Sequence, residues 1–142
     1  MIANSDQYVD IDINEYLTSM EHLDGLIMTM KASDPKWSFV RYNEEGLVTL
    51  LREKEVISDE ATVGIYNYRK GSDFVRYARQ MIKRNIRVNG EFYVAPVYNE
   101  MIEDGKRIGF YNIGVDDEKM HGLGIPEDLE KFLGNPLSKN VF

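Results

Sequence analysis

Two hydrophobic periods alternate along the chain, and the places where one gives way to the other mark its elements. Residues 2–8 read as a strand with a short apolar entry, delivering Asn4-Ser5-Asp6-Gln7 at its end. Asp12 is placed to cap a short helix over residues 13–20 with Tyr16 and Leu17 facing inward, which completes a β-α unit. Gly25 then precedes Leu26-Ile27-Met28-Thr29-Met30, a run too short for a helix and too continuously apolar for a half-exposed strand. That pattern predicts a central strand buried on both faces. Residues 37–42 and 47–52 flank the polar turn Asn43-Glu44-Glu45-Gly46, where the glycine is available for a positive φ, and together they predict a β-hairpin.

The next strand, residues 62–68, carries Gly64 in its middle, a weakness unless something approaches the backbone there. A ligand is one such thing. Ser72 is expected to cap a helix whose Phe74, Tyr77, Ala78, Met81 and Ile82 follow the i, i+3, i+4, i+7, i+8 pattern of a one-sided stripe. A third helix over residues 95–103 places Val94, Val97, Tyr98, Met101 and Ile102 on one face, tolerates Pro96 in its first turn and stops at Gly105. A strand over residues 107–113 follows. Pro126 suits the first position of a last helix, Glu127 and Asp128 complement its positive end, Leu129, Phe132 and Leu133 form its buried stripe, and Gly134 ends it. The final eight residues read as a loose tail. The alternation defines an α/β protein.

Length and charge narrow the class. At 142 residues the chain is expected to be a single domain, residues 1–142, able to bury roughly two-thirds of its unfolded surface. Its 43% hydrophobic and 29% charged content is that of a soluble protein, and no apolar run approaches the roughly 20 residues of a membrane helix. With no basic and apolar leader and no cysteine, the expected location is the cytoplasm. A net charge of −7 repels a phosphate backbone unless basic groups are gathered. Lys83-Arg84 with Arg76, Arg79 and Arg87 is the one candidate, and it scatters around the polar side of a helix, so nucleic acid is not an expected partner.

The residues suited to chemistry fall in a definite order: Asn4-Ser5-Asp6-Gln7 closing a strand, Glu53-Lys54 closing another, Gly64 with Tyr66, Asn89-Gly90-Glu91 before a helix, and Gly122-Leu123-Gly124-Ile125-Pro126-Glu127-Asp128-Leu129. This order resembles the sugar-phosphate nucleotidyltransferase family, whose members join a nucleoside triphosphate to a sugar 1-phosphate. The similarity spans nearly the whole chain and matches the C-terminal part of the family. The Gly-Gly-X-Gly-Thr-Arg-Leu triphosphate loop that opens those proteins is not among these residues. The fold implied is a partial nucleotide-diphospho-sugar transferase (GT-A-like) fold, a mixed sheet flanked by helices with a β-hairpin.

What the resemblance implies is specific. In the family a sugar phosphate oxygen attacks the α-phosphorus in line, so catalysis is mostly positioning and charge neutralisation. Asp6 matches the metal-binding aspartate, since Mg²⁺ takes hard oxygen ligands and few protein carboxylates. Lys54 matches the lysine of a Glu-Lys-Pro signature that pairs with the sugar phosphate, with Glu55 and Val56 where the proline is expected. Asp6 and Lys54 are thus the candidate catalytic residues. Lys54, Gly64 and Glu91 are the candidate substrate contacts, Gly64 letting a sugar ring lie against the backbone and Glu91 accepting from sugar hydroxyls. Many members read Trp-X-Asp-X-Gly-Thr-Pro, with a second metal aspartate where this chain has Gly122 beside His121.

Each residue also has a plainer role. Asp6 suits a turn, Lys54 a solvated strand end, Glu91 a helix start and Gly64 close packing. His121 reads as a packed or exposed bystander, and Asp10-Ile11-Asp12 as a weak match to the Asp-X-Asp of glycosyltransferases, with Asp12 serving as a cap. The expected function is a nucleotidyltransferase-like protein of nucleotide-sugar metabolism, inactive by itself because backbone donors for a triphosphate are not supplied. The alternatives are a sugar-phosphate or nucleotide-sugar binding module, and an interaction fragment that forms a homodimer through an exposed sheet edge.

Overall fold

The computed structural model describes residues 1–141. Its strands are β1 (Ile2–Ala3), β2 (Gln7–Val9), β3 (Gly25–Lys31), β4 (Ser38–Tyr42), β5 (Val48–Glu53), β6 (Glu60–Tyr68), β7 (Ile108–Val115) and β8 (Met120–Gly122). The helices are α1 (Ile13–Thr18), α2 (Gly71–Lys83), α3 (Val97–Glu103) and α4 (Pro126–Leu133).

The main sheet runs β5-β4-β6-β3-β7, with β1 added beside β6. It is mixed: β3 pairs antiparallel with β6 and parallel with β7. The unbroken apolar run of β3 follows from its position. Ile27 enters a core shared with Tyr77 and Met81 of α2 and Tyr98 and Met101 of α3. Leu26, Met28 and Met30 enter a second core on the opposite face, shared with Tyr16 of α1. Each of these side chains taken out of water contributes about 1.5–3 kcal/mol, so the strand is held from both sides.

Helix docking is fixed by hydroxyls as well as by apolar contact. Tyr16 donates to the Leu26 carbonyl at 2.7 Å and Tyr98 to the Asn67 carbonyl at 2.9 Å. A Cβ at Gly25 would stand 2.7 Å from the Tyr98 ring, so a side chain there would push α3 off the sheet. The Asn99 side chain accepts from the Leu51 amide and donates to the Leu51 carbonyl, both at 2.8 Å, on the outer side of β5. At the hairpin's turn, Asn43 Oδ1 accepts from the amides of Glu45 and Leu47, and Gly46 takes φ +75°. The turn end curls back to β7, where Leu47 bridges Gly109 and the Tyr42 ring lies 4.5 Å from Phe110.

Buried charge is confined to paired sites. Glu100, 1% exposed, accepts from Arg84 and from Gln80 at 2.7 Å, and Arg84 also meets Glu103. Arg76 faces Asp104, and Arg87 is held by Asn85 and the Gly90 carbonyl. Of the basic residues singled out in the sequence, Arg76 and Arg84 are thus paired with carboxylates of α3 and its C-terminal end. No helix among the described residues is long and apolar enough to cross a membrane.

Several expectations need correction. The strand over residues 2–8 is two strands in two sheets, because the bend at residues 4–6 takes β2 away from β6 to pair with β8. A helix of six residues buries one face, so Tyr16 is covered and Leu17 is exposed. The same geometry leaves Ile82 outside beside buried Met81, and Leu129 and Leu133 outside around buried Phe132. Ser72 does not cap α2, which starts at Gly71, two residues earlier than a Ser72 cap implies, with Lys70 at the cap position. The supposed loose tail forms a 3-10 turn over Pro136–Asn140, capped by Asn135, with Ser138 buried against the Leu133 and Asn135 carbonyls. Phe142 lies outside the described residues.

Candidate functional site

The open end of the hairpin organises the cleft. Ser38 faces Glu53 across the ladder, its hydroxyl donates to the Glu53 carboxylate, and the Lys54 amide donates to the Trp37 carbonyl at 3.1 Å. Lys36-Trp37 and Glu53-Lys54 therefore leave the sheet side by side. Lys54 has φ +54°, a strained setting for a residue with a side chain. Its Nζ donates to the Tyr93 hydroxyl at 2.9 Å, and that hydroxyl donates to Glu91 Oε2 at 2.8 Å. The Tyr93 bond holds the lysine above its ordinary range, favouring the ammonium.

Glu91 is presented by a turn rather than a helix start. Val88 and Glu91 exchange both backbone hydrogen bonds, at 3.0 and 2.9 Å, around Asn89 and Gly90, which both have positive φ. Asn-Gly is the pair that such a two-residue turn selects. The turn is braced by Arg87, whose guanidinium stacks 3.9 Å over Phe92.

A cavity of about 320 Å³ opens beside this trio, with Trp37, Glu53, Gly64, Tyr66 and Tyr93 in its wall. That volume is at the lower end of small-ligand sites. Gly64 sits at φ +79°, and what approaches its backbone is the chain's own Asn4. The Asn4 amide donates to the Gly64 carbonyl at 3.0 Å, and a Cβ on residue 64 would stand 2.8 Å from Asn4 Cγ. Tyr66 keeps a neutral hydroxyl because burial pushes it up to about 12; Thr62 Oγ1 lies 3.1 Å away.

A second cavity, of about 340 Å³, shares Asn4, Lys36 and Trp37 with the first and carries Asp6, Gly124 and Asp128 in its wall. The Leu123 amide donates to the Asp6 carbonyl at 2.8 Å, extending the β2–β8 ladder by one pair and bringing the Asp6 side chain against Gly124. A Cβ at Gly124 would lie 2.6 Å from Asp6 Oδ2, and one at Gly122 would lie 3.1 Å from Asp128 Oδ2. The two glycines thus leave room for two carboxylates. Asp128, from the first turn of α4, brings its oxygen to the space beside residue 122, where the chain itself has no side chain. Such hard oxygens suit Mg²⁺, which completes its shell with water. Among the described residues no cluster of three or more acidic, histidine or cysteine side chains is placed to hold a metal ion.

The structure thus joins Lys54 to Glu91 through Tyr93, beside the cavity that Gly64 lines. It sets Asp6 in the adjoining cavity. Asp12 caps α1, its Oδ1 accepting from the Asn14 amide at 2.8 Å. His121 is packed in a three-ring cluster with Tyr8 and Phe132. Sequence reasoning missed Lys36, Trp37 and Tyr93, and it placed Asn4 and Asp128 within motifs without giving either a part in the site beyond the charge of Asp128 at a helix end. Lys36 and Trp37 directly precede the hairpin arm, a position that could have singled them out once Lys54 was marked on the other arm.

No family model matches the chain, and no curated protein matches it. Solved structures do. A nucleoside-diphosphate-sugar pyrophosphorylase from Vibrio cholerae RC9 superposes with a TM-score of 0.77 at 26% identity, over 94% of this chain and 55% of that one. A protein assigned as a glucose-1-phosphate thymidylyltransferase from Bacillus anthracis, solved with sucrose, gives 0.66 at 17% identity over 89% and 49%. The inositol-1-phosphate CTP transferase from T. maritima gives 0.65 at 14% identity over 92% and 51%. The fold is that of the sugar-phosphate nucleotidyltransferases, and the resemblance seen in the motifs holds across nearly the whole chain. The chain spans about half the length of the structures it matches.

Proposed function

We propose that the cleft binds a sugar phosphate or nucleotide sugar, as a nucleotidyltransferase-like protein of nucleotide-sugar metabolism, and that these 142 residues alone do not turn a triphosphate over. The observation that carries the reading is the Lys54–Tyr93–Glu91 chain beside the cavity lined by Gly64. An ammonium held charged faces a phosphate, and a carboxylate next to it accepts from sugar hydroxyls. Asp6 and Asp128 would hold Mg²⁺, which supplies charge neutralisation at a phosphoryl oxygen. Tyr93 orients both Lys54 and Glu91, and Glu53, tied to Ser38, fixes the strand end from which Lys54 projects. The glycine-rich triphosphate loop is not among these residues, and without its backbone donors the largest electrostatic contribution to transfer is missing.

Calorimetric titration with a sugar 1-phosphate and with nucleotide sugars, alongside a pyrophosphate-release assay with triphosphate, sugar 1-phosphate and Mg²⁺, tests both halves. The expected result is saturable binding, weakened about tenfold or more in Lys54→Ala, with no release of pyrophosphate. An unresponsive wild type would remove the binding reading, and turnover would remove the inactivity.

A further inference from the structure

Two helices away from the cleft expose apolar rows edged by opposite charge. On α2, Phe74, Ala78 and Ile82 recur every four residues and line a groove of about 160 Å³ together with Phe92, Val94 and Val97. A cavity of about that size takes an apolar group such as a benzene ring. One residue further on, Val75, Arg79 and Lys83 form the neighbouring row, and all three are exposed. No carboxylate among the described residues pairs with Arg79 or Lys83, although the chain carries a net charge of −7. Asp73 stands in the row on the other side of Phe74, with buried Tyr77 and Met81. Helix α4 is the counterpart. Phe132 holds it to the body, while Ile125, Leu129 and Leu133 recur every four residues at 53, 36 and 52% exposure. Glu130 stands in the next row, exposed and unpaired among the described residues, and Lys131, the one cation of the helix, is bonded to Asp117.

We infer that α4 of one copy docks in the α2 groove of a second copy, with Leu129 and Leu133 covering the apolar row and Glu130 meeting Arg79 and Lys83. Helix geometry fixes the orientation. In a right-handed helix the row at i+1 lies always on the same side of the row at i. Two helices laid antiparallel, apolar row on apolar row, therefore bring their i+1 rows to one side, whereas parallel helices put them on opposite sides. Antiparallel docking sets the acidic row on the basic one. An anionic membrane would also meet Arg79 and Lys83, but it would leave the Ile125, Leu129 and Leu133 row uncovered and repel the acidic body of the chain. Because two different surfaces meet, the contact is head-to-tail and passes on from copy to copy. Two turns of helix in one groove make a small interface, so the association is weak and grows with concentration. The contact goes beyond the proposed function and does not depend on what the cleft binds.

Sedimentation velocity of the full chain at rising concentration reads the mass. Wild type should rise progressively above its 16.5 kDa monomer. Ile82→Glu puts a carboxylate in the groove and Leu133→Glu puts one on the α4 row, and each variant alone should stay monomeric. Both positions are about half exposed, so the melting temperatures should stay near that of wild type. An equimolar mixture of these two variants should form a dimer and stop there, because one supplies an intact α4 and the other an intact groove. Arg79→Glu and Glu130→Arg should each weaken association about threefold or more, and the chain carrying both should recover, its pair restored with signs exchanged. A wild type that stays monomeric up to its solubility limit overturns the contact, as do blocked variants that still associate singly or fail to dimerise when mixed. Weakened single charge variants with no recovery in the double overturn the antiparallel arrangement. Co-sedimentation of monomer with anionic lipid vesicles, lost in Arg79→Glu, assigns the α2 surface to a membrane instead.

Discussion

Replacing Gly64 by alanine tests the backbone geometry on which the cleft depends. At φ +79° an L-residue pays about 1–2 kcal/mol relative to an ordinary strand conformation. The new methyl would also collide with the Asn4 side chain, whose Cγ would be 2.8 Å away. Asn4 cannot retreat as a whole, because its amide is bonded to the Gly64 carbonyl and the two residues of β1 before it pair with Tyr66 and Ile65. Only its side chain can leave, at an overpacking cost of about 1–3 kcal/mol. The expected sum is roughly 2–5 kcal/mol, which for a chain of this size lowers the melting temperature by roughly 5–20 °C. Urea and thermal unfolding of wild type, Gly64→Ala, Asn4→Ala and the double variant measure it. In the Asn4→Ala background the cost of the alanine should fall to the backbone part alone, about 1–2 kcal/mol. A Gly64→Ala protein within about 0.5 kcal/mol of wild type would refute the argument. An alanine cost that Asn4→Ala leaves unchanged would refute its steric half.

Two further outcomes follow from side chains away from the cavities. Arg84→Ala should destabilise by about 1–3 kcal/mol in chemical denaturation, because buried Glu100 keeps Gln80 but loses its charged partner; pairing it with Glu100→Gln should recover part of that loss, and no recovery would mean the carboxylate is not the cause. Tyr93→Phe should bring the Lys54 ammonium down toward its ordinary value of 10.5, read by NMR titration of its side chain. A lysine raised in the folded state stabilises fully below pH 10.5 and loses that contribution as pH climbs through the folded value, so any difference in stability between Tyr93→Phe and wild type should appear at neutral pH and close in strong alkali. The exposed setting of Lys54 keeps this difference small, and an unmoved titration would show that Tyr93 does not hold the proton.

The elements whose identity rests on local chemistry were readable from the chain. The hairpin, the Asp12 cap and the apolar run of β3 each follow from spacing that a few neighbouring residues decide, whereas the Asn89-Gly90 turn reads in the sequence as the lead-in to a helix. What was not readable depends on distant partners. The break after Ala3 exists because β8, more than a hundred residues later, offers β2 a ladder. Leu17, Ile82 and Leu133 obey a helical stripe yet sit outside, since each helix buries a narrower face than the stripe suggests. At the site, Lys54, Gly64 and Glu91 could be marked from motifs, whereas Lys36 and Trp37 acquire meaning only when the hairpin closes. Asp128 was legible as a charge at a helix start but not as a neighbour of Gly122, because that proximity is made by the β8-to-α4 connection.

The carboxamide of Asn99 has a consequence for assembly. By filling both the donor and the acceptor of Leu51, it stands in for the neighbour that a bare strand would recruit, and it does so from a helix that is itself locked to the core. Growth of the sheet in that direction would require α3 to lift away, with Tyr98 and Met101 exposed in the process. A second copy adding a strand along β5 would first have to displace that carboxamide, so a short polar side chain closes this flank of the molecule to company.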